Sequence, residues 1–195
     1  GNIISGGTLQ LYGYYTGNSG GVASSTRIEN GILDLLSKTS ACDTTLSGGS
    51  MVLSSGAVAA GTVLSGGSMV LLEGAAATGT ILRGGSQILA GAAENGAVLS
   101  GGTQFVSSGI AVSDTRLSGG TQIVSSGGSA VNTVIDHGVQ VVENGGIASN
   151  TTLNNGSLNI QSGGLLRDGS ISNHALLSLA SGAELGGVIR VAGFL

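Results

Sequence analysis

The stretch "LSGGTQIVSSGGSAVNTVIDHGVQVVENGGIASNTTLNNG", residues 117–156, decides how this chain folds. It holds glycine pairs, serines, asparagines and small aliphatics in an order that returns on itself. Almost nothing in it can do chemistry. It is either flexible linker or a regular fold whose working part is its surface, and the rest of the chain decides between the two. The 195 residues include 38 glycines and no proline, and 8% are charged, against about 25% in an average domain. Disordered chains are poor in aliphatics and rich in charge or proline. This one is 41% hydrophobic, and much of that is Val and Ile, which with Thr favour strands. The composition therefore predicts β-structure with sharp, glycine-dependent corners.

Working outward from residues 117–156, the order repeats. A glycine precedes each short strand at Gly7, Gly31, Gly49, Gly67, Gly85, Gly102, Gly120, Gly138 and Gly156, with steps of 24, 18, 18, 18, 17, 18, 18 and 18. A second marker lies between them at Gly20, Lys38, Gly56, Gly74, Gly91, Gly109, Gly127, Gly145 and Gly163, always 11 residues before the next first marker. Columns run through the repeat. One is Thr26, Thr44, Thr62, Thr80, Ala97, Thr115, Thr133 and Thr151. Aliphatic columns pass through Leu46, Leu64 and Leu82 and through Leu35, Leu53 and Leu71, and a smaller one through Ala41, Ala59, Ala77, Glu94 and Val112.

A unit of about 18 residues is too short to fold alone, but stacked units pair their strands in parallel and bury continuous aliphatic columns. A third column, Ser25, Asp43, Gly61, Gly79, Gly96, Asp114, Asn132, Asn150 and Asp168, collects the residues that tolerate a left-handed bend. Three corners per coil predict a parallel β-helix with three sheet faces, and at about 4.8 Å per coil nine coils make a rod of about 43 Å. The absence of proline fits coils that must all donate N–H groups. One column is ambiguous. Val52, Val70, Ile88, Phe105, Ile123 and Val141 adjoin the Leu53 column, and strand neighbours face opposite ways. Either the backbone bends and both columns point inward, which is the expectation, or an apolar stripe faces solvent as an association site or a liability. The whole chain, 1–195, reads as one β-helix: an irregular insertion at about 10–19, regular coils at about 20–168 and irregular coils at about 169–195. Open β-edges at both ends read as part of a longer rod.

Candidate chemistry is sparse. The six Lys and Arg are scattered and the net charge is −4, so no basic patch addresses nucleic acid. No apolar run of about 18 residues spans a membrane. Asp43, Asp114 and Asp168 share a corner column but lie too many coils apart for a carboxylate pair. His137, beside Asp136, lacks a nucleophile at readable spacing. Cys42 replaces small residues of its column, and no ligand cluster suits a metal or other cofactor. The strings "SGGTQ" and "SGGSM" are corners and not phosphate loops, because no helix follows them. A non-enzymatic protein without cofactors is the expectation. The insertion carries Tyr12, Tyr14 and Tyr15, every tyrosine of the chain. Tyrosine suits carbohydrate or protein contact, so the alternative reading is a carbohydrate-binding or carbohydrate-cleaving β-helix with its site there.

The units "LSGGTQFVSSGIAVSDTRLSGG", "LSGGTQIVSSGGSAVNTVIDHG" and "VQVVENGGIASNTTLNNG" resemble the repeats of self-associating bacterial autotransporter adhesins, the diffuse-adherence adhesin AIDA-I and its relatives, TibA among them. The resemblance covers about residues 47–165 well and the first coils more loosely. It implies a right-handed parallel β-helix, secreted as a passenger and tethered at the outer membrane through a C-terminal β-barrel that this chain lacks. It also implies cell adherence, autoaggregation and biofilm formation, with homotypic partners on neighbouring cells and a host cell surface or glycan as a further partner. Some members are O-glycosylated by heptosyltransferases. The acceptor candidates here are Ser54, Ser55, Ser107, Ser108, Ser125, Ser126 and Ser162, beside a glycine corner. Self-association is expected along the polar corner, through Asp114, Thr115, Asn132, Thr133, Asn150 and Thr151. Coils such as "EGAAATGTILRGG" lack the serines and depart from the pattern.

Overall fold

A computed structural model describes residues 3–11, 20–172 and 174–192. All their regular elements are β-strands, and the pairings between them are parallel. They form three ladders along one rod. The long ladder stacks the strands that follow the first glycine marker, from Thr8–Leu11 and Ile32–Leu35 to Ser157–Ile160 and Leu176–Leu179. The middle ladder begins with Val22–Ser24 and Ser40–Cys42, and the short ladder with Ile3–Ile4 and Arg27–Ile28. Toward the C-terminal end Ile147–Leu153 and Leu165–Ile171 run unbroken through the corner, which merges the middle and short ladders into one sheet.

The glycine spacing is the register of the sheets. Thr8 pairs with Ile32, Ser50 with Ser68 and Thr103 with Thr121, while the one-residue-short coil pairs Ser86 with Thr103. The chain beyond Gly163 forms a further coil. Leu176–Leu179 pairs with Ser157–Ile160, and Glu184–Val191 pairs with Leu165–Ile171 across a register shift between Arg167 and Gly169. The lengthened coil conceals its membership from an 18-residue template.

All three corners hold left-handed backbone, the first in only some coils, such as Gly49 at φ 66 and Gly102 at φ 67. At the second marker Lys38 has φ 63 and Gly127 φ 75; at the third corner Asp43, Asp114, Asn132 and Asn150 have φ between 52 and 57. The first corner needs glycine for another reason in some coils. At Gly156 a Cβ would stand 2.6 Å from the carbonyl oxygen of Gly138 in the coil before. The backbones approach too closely there for any side chain.

Within the strands burial alternates. In Ser50–Leu53, Met51 and Leu53 are buried and Ser50 and Val52 are half-buried. The aliphatic columns through Leu46, Leu64 and Leu82 and through Leu35, Leu53 and Leu71 fill the core. The expected bend does not occur: Val52, Val70, Ile88, Phe105, Ile123 and Val141 point outward, and the inward position beside them is Met51, Met69, Gln87, Gln104, Gln122 and Gln140. An extended strand of four residues keeps its two-residue period, and the buried glutamines bond to one another inside the rod, leaving only the Gln140 carbonyl at the end of the row without a partner among the described residues. The glutamines thus occupy the position that polarity assigns to the surface.

Candidate functional site: the stacked corners

The corner between the long and middle ladders is a stack of β-turns. Each turn is closed by an i to i+3 hydrogen bond: Ala57 N donates to Ser54 O at 2.9 Å, Ile110 N to Ser107 O at 3.3 Å, and Gly128 N to Ser125 O at 2.8 Å. Gly56, Gly109 and Gly127 sit third in these turns with φ from 75 to 77, a conformation that favours glycine. The residue before each glycine therefore sits at the turn's outer apex. Ser55, Ser108, Ser126 and Ser162 occupy that place and are exposed, whereas Ser54, Ser107 and Ser125 start their turns and are half-buried. The structure thus divides the seven serines into four that are apical and exposed and three that are half-buried. Glu73 and Ala90 interrupt the apical column at the short coil, where Gly91, Ser108 and Ile110 line a shallow notch.

The third corner is a ladder of short amides and carboxylates. Asn132 Nδ2 donates to Asp114 Oδ1 at 3.1 Å, Asn150 Nδ2 to Asn132 Oδ1 at 2.7 Å, and Asn95 Nδ2 to Ser113 Oγ at 3.0 Å. Asp114, Asn132 and Asn150 are exposed, and with Arg116, Val134 and Thr152 they line an open groove. Arg116 pairs with Asp136, which also accepts a hydrogen bond from Asn154 Nδ2 at 2.8 Å. Asp114, Asn132 and Asn150 are placed together as the sequence suggests. Thr115, Thr133 and Thr151 are not. Their relative exposure is 1%, 0% and 2%, and they face the core. A corner residue and the residue after it point to opposite sides of the wall, so these threonines cannot contact another rod.

Thr115 and Thr133 belong to a polar spine that sequence reasoning missed, whereas the buried Thr151 Oγ1 has no hydrogen-bond partner among the described residues. Gln104 Nε2 donates to Gln87 Oε1 at 2.9 Å, Gln122 to Gln104 at 2.8 Å and Gln140 to Gln122 at 2.7 Å. Thr115 and Thr133 accept from Gln122 and Gln140 at 3.3 and 3.2 Å. The spine ends on Glu94, whose carboxylate accepts from Gln87 Nε2 at 2.7 Å and Thr80 Oγ1 at 3.2 Å. Burial pushes the Glu94 carboxyl up to about 7, against the weaker opposing effect of those hydrogen bonds. The signal lay in the repeated "GTQ" and "GSQ", whose Gln follows the Met51 and Met69 column.

Tyr12, Tyr14 and Tyr15 lie outside the described residues. Asp43, Asp114 and Asp168 sit at left-handed corner positions, and Cys42 is half-buried on the middle ladder between Ser24 and Ala60. No group of three or more His, Cys, Asp or Glu side chains that could hold a metal occurs among the described residues.

Coils in register, with polar columns displayed at their corners, define a β-solenoid of about nine turns. Several solved structures match it, and one is the crystal structure of a TibC-catalyzed hyper-glycosylated fragment of TibA. The two are 22% identical, with a TM-score of 0.53 over 98% of each chain, so the likeness is one of fold. No protein-family model and no curated protein matches the chain.

Proposed function

We propose that this chain is the rod of a bacterial surface adhesin, acting without catalysis through a repeated surface, and that its apical serines are acceptors for O-linked heptose. The observation that carries this reading is the column of exposed serines at the apices of stacked β-turns, in a fold shared with the TibC-catalyzed hyper-glycosylated TibA fragment. A transferase needs a hydroxyl that stands clear of the wall. Ser55, Ser108, Ser126 and Ser162 offer that, and the half-buried Ser54, Ser107 and Ser125 offer less. The adhesin repeats that this sequence resembles suggest the rest: display at the cell surface, homotypic contact between cells in aggregates and biofilms, and contact with a host surface or glycan.

Homotypic contact uses the exposed corner of Asp114, Asn132 and Asn150, without the buried threonines. Each polar contact between rods contributes about 1 kcal/mol, and repetition along the rod and across many copies converts this to avidity. Two measurements test the reading. Co-expression with a TibC-type heptosyltransferase should add heptose increments to intact mass, located on the peptides of Ser108 and Ser126; an unmodified chain overturns the glycosylation. Cells displaying the chain should settle faster than bare cells, and settling that equals bare cells overturns the adhesin.

A further inference from the structure

Two columns point outward from the long ladder. One is hydroxylic, through Ser50, Ser68, Ser86, Thr103 and Thr121, and the other is apolar, through Val52, Val70, Ile88, Phe105, Ile123 and Val141. Asp34 precedes the apolar stripe and Asn159 follows it. From Ser50 to Asn159 no outward strand position of this face is charged, while the chain as a whole carries −4. Two copies that meet on this side therefore face no charge repulsion from its strand positions.

The order of the stripe is a palindrome: Val70, Ile88, Phe105, Ile123, Val141. Each residue is the direct register partner of the next, so the five are evenly spaced along the rod, even across the short coil. The symmetry is therefore geometric as well as sequential. A two-fold axis lying along the strand direction at Phe105 brings a second rod face to face and antiparallel. It sets Val70 against Val141 of the second copy, Ile88 against Ile123, and Phe105 beside itself, a self-complementary contact. Antiparallel is also the orientation in which rods from two opposed surfaces meet.

We propose that this stripe is a docking face for a second copy of the rod, centred on Phe105. The proposal rests on the homotypic reading and adds a second face to the corner ladder. Five coils of about 4.8 Å each, with a width of about 10 Å, cover on the order of 250 Å² per rod. A stable pair needs about 800 Å² per partner. A single contact is therefore weak, and association becomes visible only where many rods are held side by side.

The test uses the 195-residue chain coupled densely to beads, with thiol variants made in a Cys42→Ser background. Wild-type beads should cluster, and the triple variant Ile88→Thr, Phe105→Thr, Ile123→Thr should slow clustering about tenfold, equivalent to about 1.4 kcal/mol. Threonine is at home in strands and already stands outward in the neighbouring column, so its thermal unfolding should match wild type. A short bismaleimide should link Phe105→Cys to itself. It should link Val70→Cys to Val141→Cys, but not Val70→Cys to itself, because two such thiols lie about 19 Å apart along the rod. Clustering that survives the triple variant, or Val70→Cys linking to itself as readily as to Val141→Cys, overturns this face and leaves the homotypic reading intact. Wild-type beads that never cluster overturn both. A fold lost in the triple variant leaves the thiol pairs to decide.

Discussion

Gly79 and Gly91 both hold left-handed backbone, yet a side chain would meet different surroundings at each. A Cβ on Gly79, at φ 63, has nothing within 4 Å; on Gly91, at φ 111, it stands 2.6 Å from Glu73 Cα. Gly79→Ala should therefore cost only the left-handed strain, about 1 kcal/mol. Gly91→Ala adds a backbone clash and should cost about 3 kcal/mol or more. Gly79→Asn should stay near wild type, because Asn132 and Asn150 hold this conformation in other coils. Urea unfolding midpoints of the three variants check the order. Corners of this kind were readable from sequence because few residue types tolerate positive φ. Thr115, Thr133 and Thr151 were not readable, because a hydroxyl looks the same on either side of a wall one residue thick.

The glutamine column shows what an element can do that its residues cannot do singly. A lone buried glutamine leaves unsatisfied polar atoms, but Gln104 and Gln122 each donate to the coil before and accept from the coil after. Gln122→Leu, though more apolar, should destabilise by about 2 kcal/mol, since it strands the Gln104 carbonyl and the Gln140 amide. Chemical denaturation reads this directly. Glu94 closes the spine and makes it responsive to pH. Burial raises its carboxyl from the ordinary 4.5 to about 7 in the folded rod, so folding favours the protonated form. The resulting stability is full below about 4.5, falls as pH rises, and is gone above about 7, a change on the order of 3 kcal/mol. Glu94→Gln should flatten that dependence between pH 4.5 and 7 and be the more stable rod at pH 8. Sequence placed Glu94 in a core column without showing what would surround it. Its partners, Gln87 and Thr80, come from the adjoining strand and the coil before, a juxtaposition fixed by corner geometry.

Over the whole molecule, each coil is held only by the coils on either side, as in other solenoids. The weakest junction should be the one with the short coil, where the middle ladder retains only the Glu94–Val112 and Asn95–Ser113 pairs and a charged carboxylate can be buried. Hydrogen exchange at residues 91–111 should show the lowest protection factors on this account, and lower ones at pH 8 than at pH 5 once the intrinsic pH dependence of exchange is divided out. Uniform protection along the rod would contradict it. The architecture was legible in the sequence because its repeat is its register, down to the coil that lacks one residue. The outward stripe was not, because period-2 alternation and a bent wall predict the same spacing. The parallel register has a mechanical consequence. Its inter-strand hydrogen bonds lie along the rod, so a pull on the two ends is carried by the junctions in series and they give way one at a time. A released coil gives up about 4.8 Å of rise and supplies about 60 Å of extended chain. Under tension such a rod lengthens by unwinding in equal steps, which makes it an extensible tether whose increment is written in its glycines.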